Sequence, residues 1–284
     1  MAKRVDLHLH TTYSDGRLTP GELIQIAAEQ GIGVIAITDH DTVNGIEPAL
    51  VATECFPYVT IIPGVEINTD VHQGEVHILG YFLDYKNQHL LKKLDSLRNS
   101  RKIRAQKMLD KLDELGIHIE WERILELSDG GSVGRPHIAQ ALFEGQHVDT
   151  LQEAFERYIG RNGPAYAERD RLSPKEAVEL IVKANGLPVI AHPASINDLE
   201  EMIIDLKQFG LVGIEVYYDN YDKATVERLR SLTVKYNLIA TGGSDFHGFE
   251  DDHETPLGEA RVPFECVQHL MNLAQQSHVE RKRK

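Results

Sequence analysis

Short apolar runs alternate with helix-length amphipathic segments along most of the chain, the pattern of parallel strands joined by crossover helices. Val5-Asp6-Leu7-His8-Leu9-His10 reads as a strand. A helix follows from Thr19, with Pro20 at the first helical position, where its missing N–H is harmless. Val34 to Thr38 is the next strand, and Val59 to Ile67 and Glu75 to Phe82 read as two more, joined by the polar turn Asp70-Val71-His72-Gln73-Gly74. From about Leu90 to Tyr158 the sequence becomes charged and helix-periodic, broken by Ser128-Asp129-Gly130-Gly131-Ser132. Alternation resumes at Ser173-Pro174-Lys175-Glu176, a capping-box arrangement opening a helix to about Asn185. Strands follow at Pro188 to Ala191, Gly213 to Tyr218 and Leu238 to Thr241, and a closing helix runs from about Pro263 to Gln275. The residues Glu280-Arg281-Lys282-Arg283-Lys284 read as a frayed, solvated tail. The pattern predicts an α/β domain built from residues 1–90 and 165–284, carrying a helical insertion over 91–164.

Several classes of protein fall away. The longest apolar stretches, such as Val34-Ile35-Ala36-Ile37-Thr38, are strand-sized, far short of the roughly 20 residues of a membrane span. The start of the chain, Met1-Ala2-Lys3-Arg4-Val5-Asp6-Leu7-His8, turns polar at once, unlike a secretory signal. Cys55 and Cys266 have neither metal-type nor redox-type spacing, which fits a reducing cytoplasm, and 284 residues can bury a barrel-sized core without disulfides. Acidic residues outnumber basic ones 44 to 30, a formal charge of −14 that opposes broad binding of duplex DNA. An anionic substrate must therefore be held by local positive groups.

The chemistry lies in where His, Asp and Glu fall relative to the strands. His8 and His10 are two apart on the first strand, so their side chains leave the same face and can reach one ion. Asp15 follows in the loop, His40 lies just past the second strand, Glu66 in Pro63-Gly64-Val65-Glu66, and His77 in Glu75-Val76-His77. His192 ends Val189-Ile190-Ala191-His192, while Asp245 and His247 close Gly242-Gly243-Ser244-Asp245-Phe246-His247. Nearly all are expected at strand C-terminal ends, where the loops of a parallel barrel converge on one mouth. So many nitrogen and oxygen donors point to two or three divalent ions, and imidazole with carboxylate but no thiolate favours Mn²⁺, Zn²⁺ or Fe²⁺. Asp39 and Asp41 flank His40 and are expected to hold its loop or orient its ring. His72, His89, His118, His147, His253, His269 and His278 read as ordinary surface positions.

His8-Leu9-His10-Thr11, Thr38-Asp39-His40, Gly64-Val65-Glu66, His192-Pro193 and Ser244-Asp245-Phe246-His247 resemble the successive motifs of the polymerase and histidinol phosphatase (PHP) superfamily. The resemblance covers roughly residues 1 to 90 and 165 to 260. It implies a metal-dependent phosphoesterase on a distorted seven-stranded (β/α) barrel. It also implies a first ion on His8, His10, Glu66 and Asp245, with Glu66 bridging to a second on His77 and His192, and a third on Asp15, His40 and His247. Some relatives carry His where this chain has Asp15.

Clustered divalent ions generate hydroxide near neutral pH and clamp phosphate oxygens during in-line displacement, so no Ser or Cys nucleophile is required for phosphate ester hydrolysis. The helical run opened by Gly134-Arg135-Pro136-His137 resembles the branch containing 3',5'-nucleoside bisphosphate phosphatases and ribonuclease AM. The resemblance implies a nucleotide or short oligoribonucleotide as substrate. On that reading Arg135 grips a substrate phosphate and His137 acts as donor or general acid; the plainer reading is that Arg135 ties the insertion to the barrel. Arg98, Arg101 and Arg104, with Lys102 and Lys107, form a stripe that reads as a solvated face, with an electrostatic guide as the functional alternative. Tyr13, Ser14 and Arg17 of the first loop are further candidates to line the mouth. A histidinol phosphate phosphatase shares the metal site, an amidohydrolase of C–N bonds also uses barrel His-x-His sites, and a regulatory barrel lacking catalysis would have lost ligands that this chain retains.

Overall fold

The computed structural model describes residues 4–71, 74–128, 131–168, 172–218, 221–249 and 254–282. Seven strands form one sheet in sequence order: β1 (Arg4–Asp6), β2 (Ile32–Ile37), β3 (Thr60–Val71), β4 (Gly74–Tyr81), β5 (Leu187–Ile190), β6 (Gly213–Tyr218) and β7 (Ile239–Gly243). The sheet curls into a nearly closed barrel. Leu7 N–H reaches Gly242 C=O at 3.2 Å and His10 N–H reaches Phe246 C=O at 3.0 Å, joining the first and last strands. The fold is the distorted (β/α)7 barrel that the family resemblance implies.

β4 departs from the parallel pattern of the other strands and runs antiparallel to both β3 and β5. β3 continues past Ile67 through Val71 and β4 begins at Gly74, so the predicted five-residue turn shrinks to a connection too short for anything but an antiparallel pair. Glu66 and His77 lie within β3 and β4, the strands in which the sequence places them. β1 is shorter than predicted: Leu7 to His10 continue past it through isolated pairings with Gly242 of β7, Thr38 and Phe246 instead of a regular ladder.

Helices α1 (Pro20–Glu29) and α2 (Ile46–Ala52) cover the early strands, with Thr19 and Glu22 closing the capping box of α1. The helical region contains α3 (Gln88–Glu114), α4 (Trp121–Leu127), α5 (Arg135–Glu144) and α6 (Leu151–Ala154). It is followed by α7 (Pro174–Lys183), whose capping box joins Ser173 to Glu176, then α8 (Leu199–Lys207), α9 (Lys223–Tyr236) and α10 (Phe264–Lys282). The closing helix outruns its predicted end at Gln275, so part of the expected tail is helical.

One end of α3 packs Leu90, Leu94 and Leu97 into the main core with α7 and the outer faces of the strands. The other packs Ala105, Met108, Leu109 and Leu112 into a separate cluster with Ile124, Ile138, Leu142 and Ile159. Inward-facing Val5, Leu7, Val34, Ile62, Leu79, Tyr81 and Val189 meet Cys266, Val267 and Leu270 of α10, which plugs the barrel. Each such side chain contributes about 1.5–3 kcal/mol on burial, which makes the barrel a rigid frame for whatever its loops hold. No helix of the described residues is long and apolar enough to cross a membrane. Cys55 is exposed and Cys266 buried, neither in a disulfide. His72, His253, Asp129, Gly130, Arg283 and Lys284, read above as turn, surface, breaker or tail positions, lie outside the described residues, as does the side chain of His278. Of the other surface histidines, His89, His118 and His269 are exposed and His147 is half-buried.

Candidate active site

Extended backbone after β1 sends Leu9 outward into the core and His8 and His10 into the mouth, both fully buried with ring centroids 5.2 Å apart. Thr38 pins this segment from β2: its hydroxyl accepts Leu9 N–H at 2.9 Å, and its own N–H donates to Leu9 C=O at 2.9 Å. His8 Nε2 then lies 3.2 Å from both Glu66 Oε2 and Asp245 Oδ1. His10 Nε2 lies 2.9 Å from Asp245 Oδ1 and 3.3 Å from Glu66 Oε2.

Glu66 is the hub. Its Oε2 faces His8, His10 and His40 Nδ1, the last at 2.9 Å, while its Oε1 faces His77 Nδ1 at 2.8 Å and His192 Nε2 at 3.2 Å. Asp15 closes the far side, 3.5 Å from His247 Nε2 and 3.8 Å from both His10 Nδ1 and His40 Nε2. The fold thus gathers every metal-ligand candidate into one cluster. Among the described residues, three sets have donor atoms within 4.8 Å of one another: His8, His10, Glu66 and Asp245; His10, Asp15, His40 and His247; and His40, Glu66 and His77. The first matches the grouping implied by the resemblance. The last two add His10 to the Asp15 set and place His40 beside Glu66 and His77, where the resemblance implied His192; the His192 ring is itself 3.1 Å from His77 Nδ1.

The donor set fits divalent cations. His8 Nε2, His10 Nε2, Asp15 Oδ1, Glu66 Oε2, His77 Nε2 and Asp245 Oδ1 are all buried without a hydrogen bond, a concentration of unsatisfied donors and acceptors that ordinary packing does not retain. Their mutual electrostatics point the same way. Burial opposes a charged His10, but Asp245 and Glu66 outweigh it and hold its pKa at about 10; Glu66 likewise holds His77 at about 9. Burial alone would raise Glu66, Asp15 and Asp245, yet the surrounding imidazoles pull all three well below the usual carboxylate range.

The supporting residues include two carboxylates that the sequence reading missed. Glu215, fully buried on β6, lies 3.2 Å from His8 Nδ1 and accepts the backbone N–H of His192 at 2.8 Å. Asp6 accepts the backbone N–H and hydroxyl of Ser244 and the N–H of Gly258, locking the loop before Asp245 onto β1. For Glu215 the available signal was a lone carboxylate inside an otherwise uncharged strand; for Asp6 it was a carboxylate two residues before His8 on the first strand. Tyr218 donates to Asp245 Oδ2 at 2.9 Å. Asp39 holds the first loop through Thr11 and Ser14, at 2.6–2.7 Å, instead of the His40 ring, and Asp41 accepts Asn68 N–H and pairs with Arg101 at 2.7 Å. Asp41, His192 and Asp245 all adopt left-handed φ angles, 54°, 28° and 56°, a concentration of backbone strain at one site.

A cleft of about 750 Å³ leads from Asp15 to the helical region, lined by Arg17, Arg123, His137, Gln140, Phe155 and Phe249 among others. Burial lowers the pKa of His137, and its Nδ1 accepts the N–H of Gly134 at 3.0 Å, so the ring is neutral and keeps a proton on Nε2. That makes it a hydrogen-bond donor. Arg135 pairs with Glu75 of β4 at 2.9 Å and stacks on Phe155, which ties α5 to the barrel. The arginine stripe on α3 is neither a solvated face nor a guide: Arg98 donates to Thr42, Arg101 pairs with Asp41, and Arg104 donates to Ala167 C=O. Only Lys102 and Lys107 remain exposed as predicted.

Residues 6–168 match the PHP domain family. A 5'-3' exoribonuclease of Haemophilus influenzae is 34% identical over 251 residues, covering 87% of this chain and 91% of that protein. A 3',5'-nucleoside bisphosphate phosphatase of Chromobacterium violaceum is 32% identical over 248 residues, covering 86% and 87%. Among solved structures, a metal-dependent phosphoesterase from Bifidobacterium adolescentis superposes with a TM-score of 0.86 at 29% identity, over 95% of this chain and 96% of that one.

Proposed function

The chain belongs to the PHP domain family, and from that premise we propose that it is a metal-dependent phosphoesterase acting on nucleotides. It removes the 3'-phosphate of nucleoside 3',5'-bisphosphates and releases nucleotides in the 5'-to-3' direction from short 5'-phosphorylated RNA. The observation that carries this reading is the set of buried, unsatisfied polar atoms on His8, His10, Asp15, Glu66, His77 and Asp245, of which Asp15 also lines the nucleotide-sized cleft. The kinship with a bisphosphate phosphatase and an exoribonuclease supports the substrate class.

His8, His10, Glu66 and Asp245 hold one ion, Glu66 with His77 and His192 a second, and Asp15, His40 and His247 a third, with Mn²⁺ the preferred metal. Bound there, divalent ions supply an activated water and neutralise charge on the phosphoryl oxygens. The protein's own part is positional. Glu66 presents one oxygen to each of two donor groups, Glu215 fixes the ring of His8, and Tyr218 fixes Asp245. His137 offers its Nε2–H to substrate from the cleft wall, and Arg135 serves the cleft by anchoring α5 through Glu75. Residues 91–164 act as a helical insertion that roofs the mouth, with a core of its own. The two unpaired cysteines favour the cytoplasm.

The test is product analysis with Mn²⁺-loaded protein given adenosine 3',5'-bisphosphate or a short 5'-phosphorylated RNA. AMP and phosphate from the first, and stepwise mononucleotides from the second, are expected. Inertness toward both overturns the nucleotide reading and returns attention to histidinol phosphate and other small phosphoesters.

A further inference from the structure

The cleft beside the candidate metal site contains cations, but most are already engaged. Arg123 is paired with Glu126 and Glu144, and the neighbouring Arg101 and Arg135 with Asp41 and Glu75. The guanidinium of Arg17 differs: among the described residues it has neither a hydrogen bond nor an ion pair, and its partner is the ring of Phe249, 4.9 Å from the centroid. Phe249 in turn stacks on His247, with centroids 5.8 Å apart and planes 22° apart. A continuous line of contacts therefore runs from a candidate metal ligand to an unpaired cation on the cleft wall.

Both sides of this arrangement are held in place. Arg17 N–H donates to His247 C=O at 2.7 Å, and Gly16 N–H donates to Thr11 C=O at 3.1 Å. A Cβ at Gly16 would fall 2.6 Å from the backbone of His10, so the turn carrying Arg17 sits tight against the first metal-ligand segment. On the other strand end, Glu254 accepts Gly248 N–H at 2.9 Å and anchors the loop that presents Phe249. Stacking on an aromatic face covers one side of a guanidinium while leaving its N–H edges free, and a preordered fork loses less entropy on binding an oxyanion. In a protein of net charge −14, such a group is the natural counterpart of a second negative charge on the substrate.

We propose that Arg17, held against Phe249, recognises the non-reacting 5'-phosphate of the substrate and so sets a preference for nucleotides phosphorylated on both sides of the ribose. The proposal rests on the phosphoesterase reading above for the identity of the reacting group. It departs from the sequence expectation, in which Arg135 held the phosphate, because Glu75 already occupies that guanidinium.

The test separates binding from turnover. Calorimetry on the Mn²⁺-loaded protein compares AMP, which has the 5'-phosphate and no 3'-ester to hydrolyse, with adenosine. The wild type is expected to bind AMP more tightly by about ten- to a hundredfold, the range of a charge-assisted bidentate pair. In Arg17→Ala that preference collapses toward unity, in Arg17→Lys it is intermediate, and Phe249→Leu weakens it by loosening the guanidinium. The kcat/KM preference for adenosine 3',5'-bisphosphate over adenosine 3'-monophosphate falls in parallel. Comparing RNA bearing a 5'-phosphate with RNA bearing a 5'-hydroxyl shows whether an oligonucleotide presents the same group. A wild type indifferent to the phosphate, or an Arg17→Ala variant that keeps the preference, overturns the proposal. Absence of turnover on every nucleotide would instead remove the phosphoesterase reading, while the AMP and adenosine affinities still decide the role of Arg17.

Discussion

Glu215 Oε1 lies 3.2 Å from His8 Nδ1, while Oε2 of the same carboxylate accepts the backbone N–H of His192 at 2.8 Å. One buried group thereby orients a first-strand imidazole, aiming its Nε2 at Glu66 and Asp245, and restrains a left-handed residue at the end of β5. Glu215→Gln should bind metal about 10- to 100-fold more weakly with its secondary structure intact. Metal content after gel filtration, read beside circular dichroism, checks this. Wild-type metal retention would show that Glu215 merely fills space.

The metal assignment makes a sharper demand. His8→Ala and Asp245→Asn should each abolish turnover and lower the number of ions retained, because both residues belong with His10 and Glu66 to the first donor set. Elemental analysis paired with the activity assay gives the answer, and near-wild-type turnover by either folded variant would remove that residue from the ligand set.

Protons should compete with metal in a defined direction. With His10 held at about 10 and His77 at about 9, both rings are protonated in the metal-free protein at neutral pH. Coordination requires neutral imidazole, so metal uptake releases protons and affinity falls as pH falls. Titrations in buffers of different ionisation enthalpy count the released protons. The linked stability has the opposite sense for the chelated protein: these raised histidine pKa values contribute stability fully below about pH 6.5, lost as pH rises through about 9 to 10. A thermal melting temperature of the chelated protein that stayed flat through that window would contradict the assignment.

The strands were legible because β2, β5 and most of β6 are buried throughout and read as apolar runs. The five-residue turn read between β3 and β4 already leaves too little chain for a crossover, whereas the antiparallel pairing of β4 with β5 was not legible, since apolar content does not encode orientation. The candidate metal ligands were legible as a cluster because each sits in a short local pattern of its own. Glu215 was not, because its partner His8 lies 207 residues away and a single acidic residue in a strand says nothing of what it faces. The spacing of Arg98, Arg101 and Arg104 gave their common helix face correctly, but their partners Thr42, Asp41 and Ala167 come from segments that only the fold brings alongside.

Those partners lead to a prediction about stability. Arg101 and Asp41 form a largely buried pair at 2.7 Å, the side chains 10% and 0% exposed, whereas Arg135 and Glu75 are 21% and 30% exposed at 2.9 Å. Removing one member of a buried pair strands the other charge, so Arg101→Ala should cost about 3–5 kcal/mol. Arg135→Ala, with water at hand to solvate Glu75, should cost about 0–1 kcal/mol. Because Asp41 also accepts Asn68 N–H beside His40, the loss at Arg101 should reach the site, lowering metal retention as well as the denaturant midpoint. Adding Asp41→Asn to Arg101→Ala removes the stranded charge and should recover part of the stability, a coupling that a double-mutant cycle measures directly. Equal costs for the two arginine variants would mean that the Arg101 pair is as well solvated as the one at the surface.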